Sequence, residues 1–152
     1  MHVRVANHSD MTCLIQHAKK LHLESGKYTR RAFDENALSE NLTSVLNGSG
    51  AIFVAEIKGQ IVGGIVCLTS KDWFNNDVIA FEQVFYVQPE YRATRVPLLL
   101  IDAFVNWAKH MKADRIQSGT TTDISTKGCV RLYEHFGFTQ YGIMMDMELT
   151  HE

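Results

Sequence analysis

The chain has 152 residues, of which 45% are hydrophobic, and this is enough for one domain with a sizeable core. Its 15 lysines and arginines nearly balance 17 acidic residues, and the net charge of −2 excludes a polybasic nucleic-acid binder and an acidic disordered chain. The longest apolar run, residues 61–68, is far shorter than the roughly 20 residues of a membrane helix. We therefore expect a single domain over residues 1–152 that binds neither nucleic acid nor membrane.

The first half of the chain predicts a strand, two helices and a hairpin. The predicted elements are a strand at 2–6, helices at 9–25 and 35–47, and strands at 51–57 and 60–69. Lys58 and Gly59 separate the last two strands, and a two-residue connection with glycine is typical of a tight hairpin. The chain starts without the basic and apolar stretches of a secretory signal, which favours a cytoplasmic location.

The second half predicts alternating strands and helices. These are a strand at 78–88, a helix at 94–112, a strand at 114–120, a helix at 125–136 and one or two closing strands within 138–149. The order β-α-α-β-β-β-α-β-α-β-β predicts an α/β (α+β) fold, a mixed sheet with helices on both faces. The cysteines and histidines have no spacing typical of a metal site, so we expect no metal ion.

Residues 87–92, Val-Gln-Pro-Glu-Tyr-Arg, lead from a strand directly into a helix, with Arg92 and Arg95 in the turn. Such a turn exposes unpaired backbone N–H groups at the positive end of a helix, which suits a phosphate or pyrophosphate group. Two arginines would strengthen that site. The alternative is a solvated turn whose arginines only keep the loop soluble.

Residues 132–138, Leu-Tyr-Glu-His-Phe-Gly-Phe, combine the end of a helix with Gly137, which can take a positive φ, and an aromatic residue that starts the next segment. Alone, this pattern indicates a helix C-cap. Tyr133 would then be a packing residue with its hydroxyl at the rim of the core.

Taken together, in this order and about 40 residues apart, the two segments resemble the GNAT superfamily of acyl-CoA-dependent N-acetyltransferases. The resemblance covers essentially the whole chain and implies a GNAT-type mixed sheet with acetyl-CoA as co-substrate. In that fold the cofactor lies between two parallel central strands that splay apart, here those ending near Val87 and Thr120. The implied cofactor-binding residues are Phe85, Tyr86 and Val87 for the pantetheine arm, Arg92, Ala93, Thr94, Arg95, Val96, Pro97 and Leu98 for the pyrophosphate, and Thr126.

The turn departs from the family pattern Q/R-x-x-G-x-G/A, because alignment on Arg92 places Arg95 and Pro97 where glycines are expected. Pro97 has no N–H, and Arg95 carries a long side chain. At least one hydrogen bond to the phosphate is then absent, at a cost of ~1.5–3 kcal/mol. Arg95 would offset part of this loss as an ion pair.

The resemblance implies that Tyr133 protonates the sulfur of the leaving thiolate. Glu82 is the sole carboxylate on the strand at 78–88 and, by regular alternation, shares a face with Val84 and Tyr86. It is therefore the candidate base that takes the amine proton, directly or through water. A strand bulge would bring Gln83 to the substrate instead, and the remaining alternative is that Glu82 only faces solvent.

The leading hypothesis is an N-acetyltransferase that acts on a primary amine of a small molecule or protein. The alternative is a catalytically weak GNAT-fold module that binds acyl-CoA or a protein partner. The altered turn favours the second reading, and Tyr133 with its intact surroundings favours the first. The sequence does not decide whether the chain forms a homodimer. The candidate residues for the amine pocket are Tyr28, Glu35, Asp72 and Trp73.

Overall fold

The computed structural model describes residues 1–151 and contains a five-stranded sheet with helices on both faces. The elements in chain order are β1 (His2–Val5), α1 (Met11–Glu24), α2 (Glu35–Asn47), β2 (Ala51–Ile57), β3 (Gln60–Lys71), β4 (Val78–Val87), α3 (Val96–His110), β5 (Arg115–Gln117) and α4 (Thr126–His135). The predicted fold class is confirmed, and the predicted order holds through α4.

The strands follow the sheet order β1-β2-β3-β4-β5, in which only β4 and β5 are parallel. Lys58 and Gly59 connect β2 to β3 as a two-residue turn with φ of 49° and 79°. Two consecutive left-handed residues match the twist of the flanking strands, and glycine adopts this conformation without strain. The predicted hairpin is therefore confirmed.

Each face of the sheet carries its own hydrophobic core. Leu100, Ile101 and Phe104 of α3 are fully buried against one face, where Tyr133 of α4 joins them. Leu14 of α1 and Leu42 of α2 pack on the other face, over β2 and β3. The two cores fix the sheet from both sides, so side chains placed at its edge have a rigid support.

The parallel strands part before β4 ends. Their pairing covers residues 79–81 of β4 and 115–117 of β5, after which β4 continues to Val87 without a neighbour on that side. The predicted splay between the two central strands is thus present, although β5 is shorter than the predicted 114–120. Beyond Phe81, the backbone groups of β4 on this edge have no strand partner and face the gap.

A β-bulge interrupts β4 at Glu82 and Gln83. Val84 pairs with Val66 and Glu82 pairs with Cys67, so Gln83 is the extra residue. The bulge shifts the alternation of side chains by one position. Glu82 consequently lies on the face of the α3 core with Phe85 and Val87 and not with Val84 and Tyr86, which corrects the prediction from regular alternation.

Residues 138–151 have no regular secondary structure, so the prediction of closing strands within 138–149 was wrong. Their sequence alternates as a strand does, but a strand also needs a neighbouring backbone to complete its hydrogen bonds. The three residues of β5 pair with β4 alone. Among the helices of residues 1–151, none is long and apolar enough to cross a bilayer.

Candidate active site

A cavity of about 380 Å³ opens between the parted strands. One wall is the end of β4, and the other is the loop after β5 with the first turns of α4. Predicted cofactor-binding residues make up one side of its lining, namely Phe85, Tyr86, Val87, Arg92, Thr94, Pro97 and Leu98. Its size and concave, largely apolar lining are typical of a small-molecule site.

Four predicted cofactor-binding residues do not line this cavity. Val96 is fully buried in the α3 core, and its N–H donates to the Thr94 hydroxyl oxygen at 3.2 Å. Ala93 and Arg95 lie in the turn outside the lining, and Thr126 is the first residue of α4. The structure therefore brings together the strand part of the predicted set and only some of the turn.

The opposite wall of the cavity was not predicted from the sequence. It consists of Thr122, Ile124, Ser125, Gly128, Cys129, Arg131 and Leu132, and Leu21 of α1 completes the lining. Gly128 is the one sequence signal, because a glycine in the first turn of a predicted helix marks a close approach; a Cβ there would meet the Ser125 hydroxyl at 3.0 Å. Asp123 and Ser125 both have left-handed backbones, with φ of 62° and 51°, which no pattern of polarity reveals.

Arg92 is held by protein groups. Its Nε donates to the Val87 carbonyl at 2.8 Å, and its two terminal nitrogens donate to the two Glu24 carboxylate oxygens at 2.6 Å each. The guanidinium lowers the pKa of Glu24, and the fork geometry is the strongest form of such an ion pair. Arg92 thus ties the end of α1 to the turn, and most of its charge is neutralised within the protein.

The N-terminus of α3 offers few free backbone donors. The Val96 N–H is taken by Thr94, and Pro97 has none. Leu98 supplies the next N–H, which has no protein partner in the described part of the chain. The departure of this turn from the glycine-rich pattern therefore removes a donor at the position where the helix dipole is strongest.

The two candidate catalytic residues are in contact. Glu82 Oε1 accepts a hydrogen bond from the Gly119 N–H at 3.1 Å and one from the Tyr133 hydroxyl at 3.4 Å. Burial raises the pKa of Glu82 to about 7, although both hydrogen bonds act in the opposite direction. Burial, together with the Glu82 charge, also raises the pKa of Tyr133. A carboxylate that exchanges protons near neutrality thus lies beside a phenol that stays protonated.

This pair adjoins the cavity without lining it. Phe85 lines the cavity three residues beyond Glu82 on β4, and Leu132 lines it next to Tyr133. Gln83 is exposed, so the bulge does not bring it into the place of Glu82. Ser118, just after β5, adds a buried hydroxyl without a hydrogen-bond partner in residues 1–151. No motif in the sequence singles out Ser118 or Gly119.

Of the candidates for the amine pocket, only Tyr28 reaches the loop that walls the cavity, where its hydroxyl contacts Thr121 Oγ1 at 2.6 Å. Glu35 forms an ion pair with Lys19, and Asp72 accepts a hydrogen bond from the Phe74 N–H within its own turn. Trp73 is 93% exposed. Within residues 1–151, no group of three or more His, Cys, Asp or Glu side chains could hold a metal ion.

Comparisons with known proteins agree with this geometry. Residues 48–140 match the acetyltransferase (GNAT) domain, which is more than half of the chain and includes β4, Tyr133 and every cavity-lining residue except Leu21. No curated protein sequence matches the chain significantly.

Several solved structures share the fold at low sequence identity. AAC(6')-Iy, solved in complex with the bisubstrate analog CoA-S-monomethyl-acetylneamine, is 17% identical with a TM-score of 0.77, and the alignment covers 97% of each chain. The aminoglycoside antibiotic 6'-N-acetyltransferase AAC(6')-IG from Acinetobacter haemolyticus is 15% identical with a TM-score of 0.76 and full coverage of both chains. A transcriptional regulator from Bacillus halodurans C-125 is 17% identical with a TM-score of 0.78, covering 97% of this chain and 98% of that one.

Proposed function

The chain belongs to the GNAT acetyltransferase family, and from that premise we propose that it transfers the acetyl group of acetyl-CoA to a primary amine of a small molecule or protein. The observation that carries this proposal is the contact between Glu82 and Tyr133, which lie next to residues that line the cavity. The contact supports the proposal because amine acetylation requires one group that accepts a proton and one that donates a proton.

Glu82 removes the proton from the incoming ammonium group, directly or through water. Its pKa of about 7 leaves a substantial fraction ionised at neutral pH and able to accept a proton. The neutral amine then attacks the thioester carbonyl, and a C–N bond forms as the carbonyl oxygen becomes an oxyanion. Unpaired N–H groups on the free edge of β4 beyond Phe81 are suited to stabilise this charge.

The oxyanion then collapses, and the C–S bond breaks. Tyr133 donates its proton to the departing thiolate of CoA and recovers one from the proton held on Glu82, which it contacts. The raised pKa of Tyr133 keeps its hydroxyl protonated at neutral pH but makes it a weaker acid than a thiol, so its proton reaches the sulfur only as the proton held on Glu82 moves to the Tyr133 oxygen. The first proton taken from the ammonium group is thus passed on to the sulfur, the nitrogen of the new amide loses its second proton to water, and the pair returns to its starting state.

The cofactor occupies the cavity with its pantetheine arm along Phe85, Tyr86 and Val87 and its pyrophosphate toward Thr94 and Leu98. Arg131, which lines the same cavity from α4, is an additional cation for the phosphates. Arg92 positions the turn, since its guanidinium is already committed to Glu24 and Val87.

A second candidate function, binding of acyl-CoA without efficient turnover, is favoured by one observation. Pro97 and the engaged Val96 N–H deprive the turn of donors that a phosphate would use. The loss of one hydrogen bond to a charged group would lower the affinity for the cofactor by roughly one to two powers of ten.

Incubation with acetyl-CoA and a panel of amines, followed by mass spectrometry of the amines, tests the proposal. The panel contains an aminoglycoside, because AAC(6')-Iy binds an acetylneamine analog, together with a polyamine and a peptide with a free N-terminus. We expect at least one acetylated amine, and none with the double variant Glu82→Gln/Tyr133→Phe. Acetyl-CoA binding without any acetylation would support the second candidate, and the absence of binding would contradict both.

A further inference from the structure

Ser118, the residue after β5, carries a buried hydroxyl that no protein group satisfies. Its Oγ has no hydrogen-bond partner in residues 1–151. A polar group left unpaired in a protein interior costs free energy, so proteins pair nearly all such groups. Among the buried side-chain nitrogen and oxygen atoms of the described residues, the Ser118 Oγ is the exception. Its position beside the candidate catalytic pair offers a chemical reason.

The fold directs this hydroxyl toward the oxygen of Tyr133. Ser118 follows Ile116 by two residues, so continued alternation beyond β5 places it on the sheet face where Ile116 packs on the α3 core with Tyr133. The Ser118 hydroxyl is close enough to the Tyr133 oxygen to lower the pKa of Tyr133, against the larger effect of burial. Gly119, the next residue, donates its N–H to Glu82 Oε1 at 3.1 Å. One short segment after β5 thus reaches both members of the pair.

The proposed reaction makes its greatest electrostatic demand at the Tyr133 oxygen. That oxygen releases its proton to the departing thiolate and accepts the proton held on Glu82, so it carries partial negative charge during the exchange. Burial and the charge of Glu82 both disfavour a negative phenol oxygen, and they raise the pKa of Tyr133. A hydrogen-bond donor directed at this oxygen would stabilise the charge where it develops.

From these contacts we propose that Ser118 is a positioning residue for the proton transfer, whose hydroxyl donates a hydrogen bond to the Tyr133 oxygen as the C–S bond breaks. The sulfur gains the Tyr133 proton, the Tyr133 oxygen gains the proton held on Glu82, and Ser118 keeps its own. Ser118 therefore leaves the proton balance unchanged and acts only through Tyr133. This inference rests on the proposed acetyl transfer and adds to it a side chain from the end of a third element.

The stability of Ser118→Ala distinguishes this role from a structural one. The substitution removes an unpaired hydroxyl, so the denaturant midpoint of unfolding should stay unchanged or rise. Ser25→Ala is the matched contrast, because the buried Ser25 hydroxyl donates to the Thr122 carbonyl at 2.7 Å and accepts from the Tyr28 N–H at 3.2 Å. That variant should lower the midpoint. A comparable loss in Ser118→Ala would overturn the proposal, because the hydroxyl would then be bonded within the resting fold.

Steady-state kinetics with an amine that the wild type acetylates test the role in proton transfer. Ser118→Ala should lower kcat by roughly tenfold or more and leave the KM values for acetyl-CoA and the amine unchanged, since the hydroxyl acts only after both substrates are bound. Ser118→Thr keeps the hydroxyl and should recover most of the lost rate. Ser70→Ala, at an exposed serine of β3, is the control and should retain the wild-type kcat.

The double variant Ser118→Ala/Tyr133→Phe separates an action through Tyr133 from a general disturbance of the site. Without the phenol oxygen, loss of the Ser118 hydroxyl should lower kcat no further than Tyr133→Phe alone. Additive losses in the double variant would overturn the proposal, as would a wild-type kcat in Ser118→Ala or no recovery in Ser118→Thr. Each of these results, with an active wild type, overturns this inference and leaves the proposed function standing. A wild type that acetylates no amine would overturn both.

Discussion

The Tyr133 hydroxyl lies 3.4 Å from Glu82 Oε1, and this contact joins the candidate acid to the candidate base. It exists because the β4 bulge turns Glu82 toward the α3 core, where Tyr133 is buried. Two titrating groups at this distance influence each other, so a change at either one alters the pKa of its partner.

Replacement of Glu82 by Gln should lower kcat/KM by about a hundredfold or more near neutral pH, because the base is lost while Gln Oε1 can still accept the Gly119 N–H. The wild-type rate should rise with pH through about 7 as Glu82 ionises, and the variant should lack this rise. Steady-state rates against pH measure both effects. Glu90→Gln, at an exposed carboxylate just after β4, is the matched control. A variant with the wild-type pH profile would remove Glu82 from the mechanism.

The same substitution should stabilise the fold at alkaline pH. The folded-state pKa of Glu82 is raised from 4.5 to about 7, so between these values the folded chain holds more protons than the unfolded chain. This contribution to stability is present below pH 4.5 and is lost as the pH rises through 7. Glu82→Gln removes the free-energy cost of the buried charge, which is about 3 kcal/mol above that pH range and far less below it. Denaturant unfolding at about pH 8 and pH 5 tests this, and equal effects at both would contradict it.

Tyr133→Phe should keep the fold, because the ring still packs 5.4 Å from the Phe138 ring, and should lower kcat by about a hundredfold through loss of the proton donor. The substitution also removes a hydrogen bond that lowers the pKa of Glu82. The rising limb of the pH–rate profile should therefore move to higher pH. An unchanged kcat would mean that another group protonates the sulfur. A pH–rate profile that rises at the same pH as in the wild type would mean that the Tyr133 hydroxyl does not affect the pKa of Glu82.

The fold could be predicted from the sequence wherever one pattern dominates. The broad apolar face of α3 indicates a helix that packs on a sheet. The two-residue turn Lys58-Gly59 sets the register of β2 and β3, because it pairs Ile57 with Gln60. The end of the chain was predicted incorrectly, because alternation at 138–149 describes which face is apolar but not which backbone pairs with it. That partner is not determined by local sequence.

The site was less predictable because it depends on backbone details. The bulge at Gln83 decides which way Glu82 points, and it has no signature in a strand that is apolar on both faces. The commitment of Arg92 to Glu24 joins residues far apart in the chain. By contrast, the positions of Phe85 to Val87 and of Tyr133 could be predicted, because their motifs mark the end of β4 and the end of α4.

The pair between Arg92 and Glu24 should contribute measurably to stability. Lysine cannot form the two parallel hydrogen bonds, so Arg92→Lys should destabilise the fold by about 1–2 kcal/mol. A double-mutant cycle with Glu24→Gln isolates the coupling. The pKa of Glu24 is lowered, so the coupling should be present above its ordinary value of 4.5 and fade as the pH falls through the lower folded-state pKa. The more exposed pair Lys19 and Glu35 is the control, with coupling near zero.

Acetyl-CoA should raise the melting temperature, since a ligand at a hundredfold excess over Kd stabilises the folded state by ~2.7 kcal/mol. No thermal shift and no heat of binding at millimolar CoA would contradict a cofactor site between the parted strands.

The turn at the start of α3 should give that binding an unusual dependence on salt. Pro97 withholds a backbone N–H, and Arg95 offers an exposed charge in its place. Exposed ion pairs are screened by salt, whereas backbone donors in contact with a phosphate are screened less. Arg95→Ala should therefore weaken CoA binding and flatten its salt dependence. Pro97→Gly should strengthen binding if the added N–H outweighs the extra flexibility of glycine. Calorimetric titrations at low and high salt compare both variants, and parallel salt slopes for wild type and Arg95→Ala would show that Arg95 does not reach the phosphates.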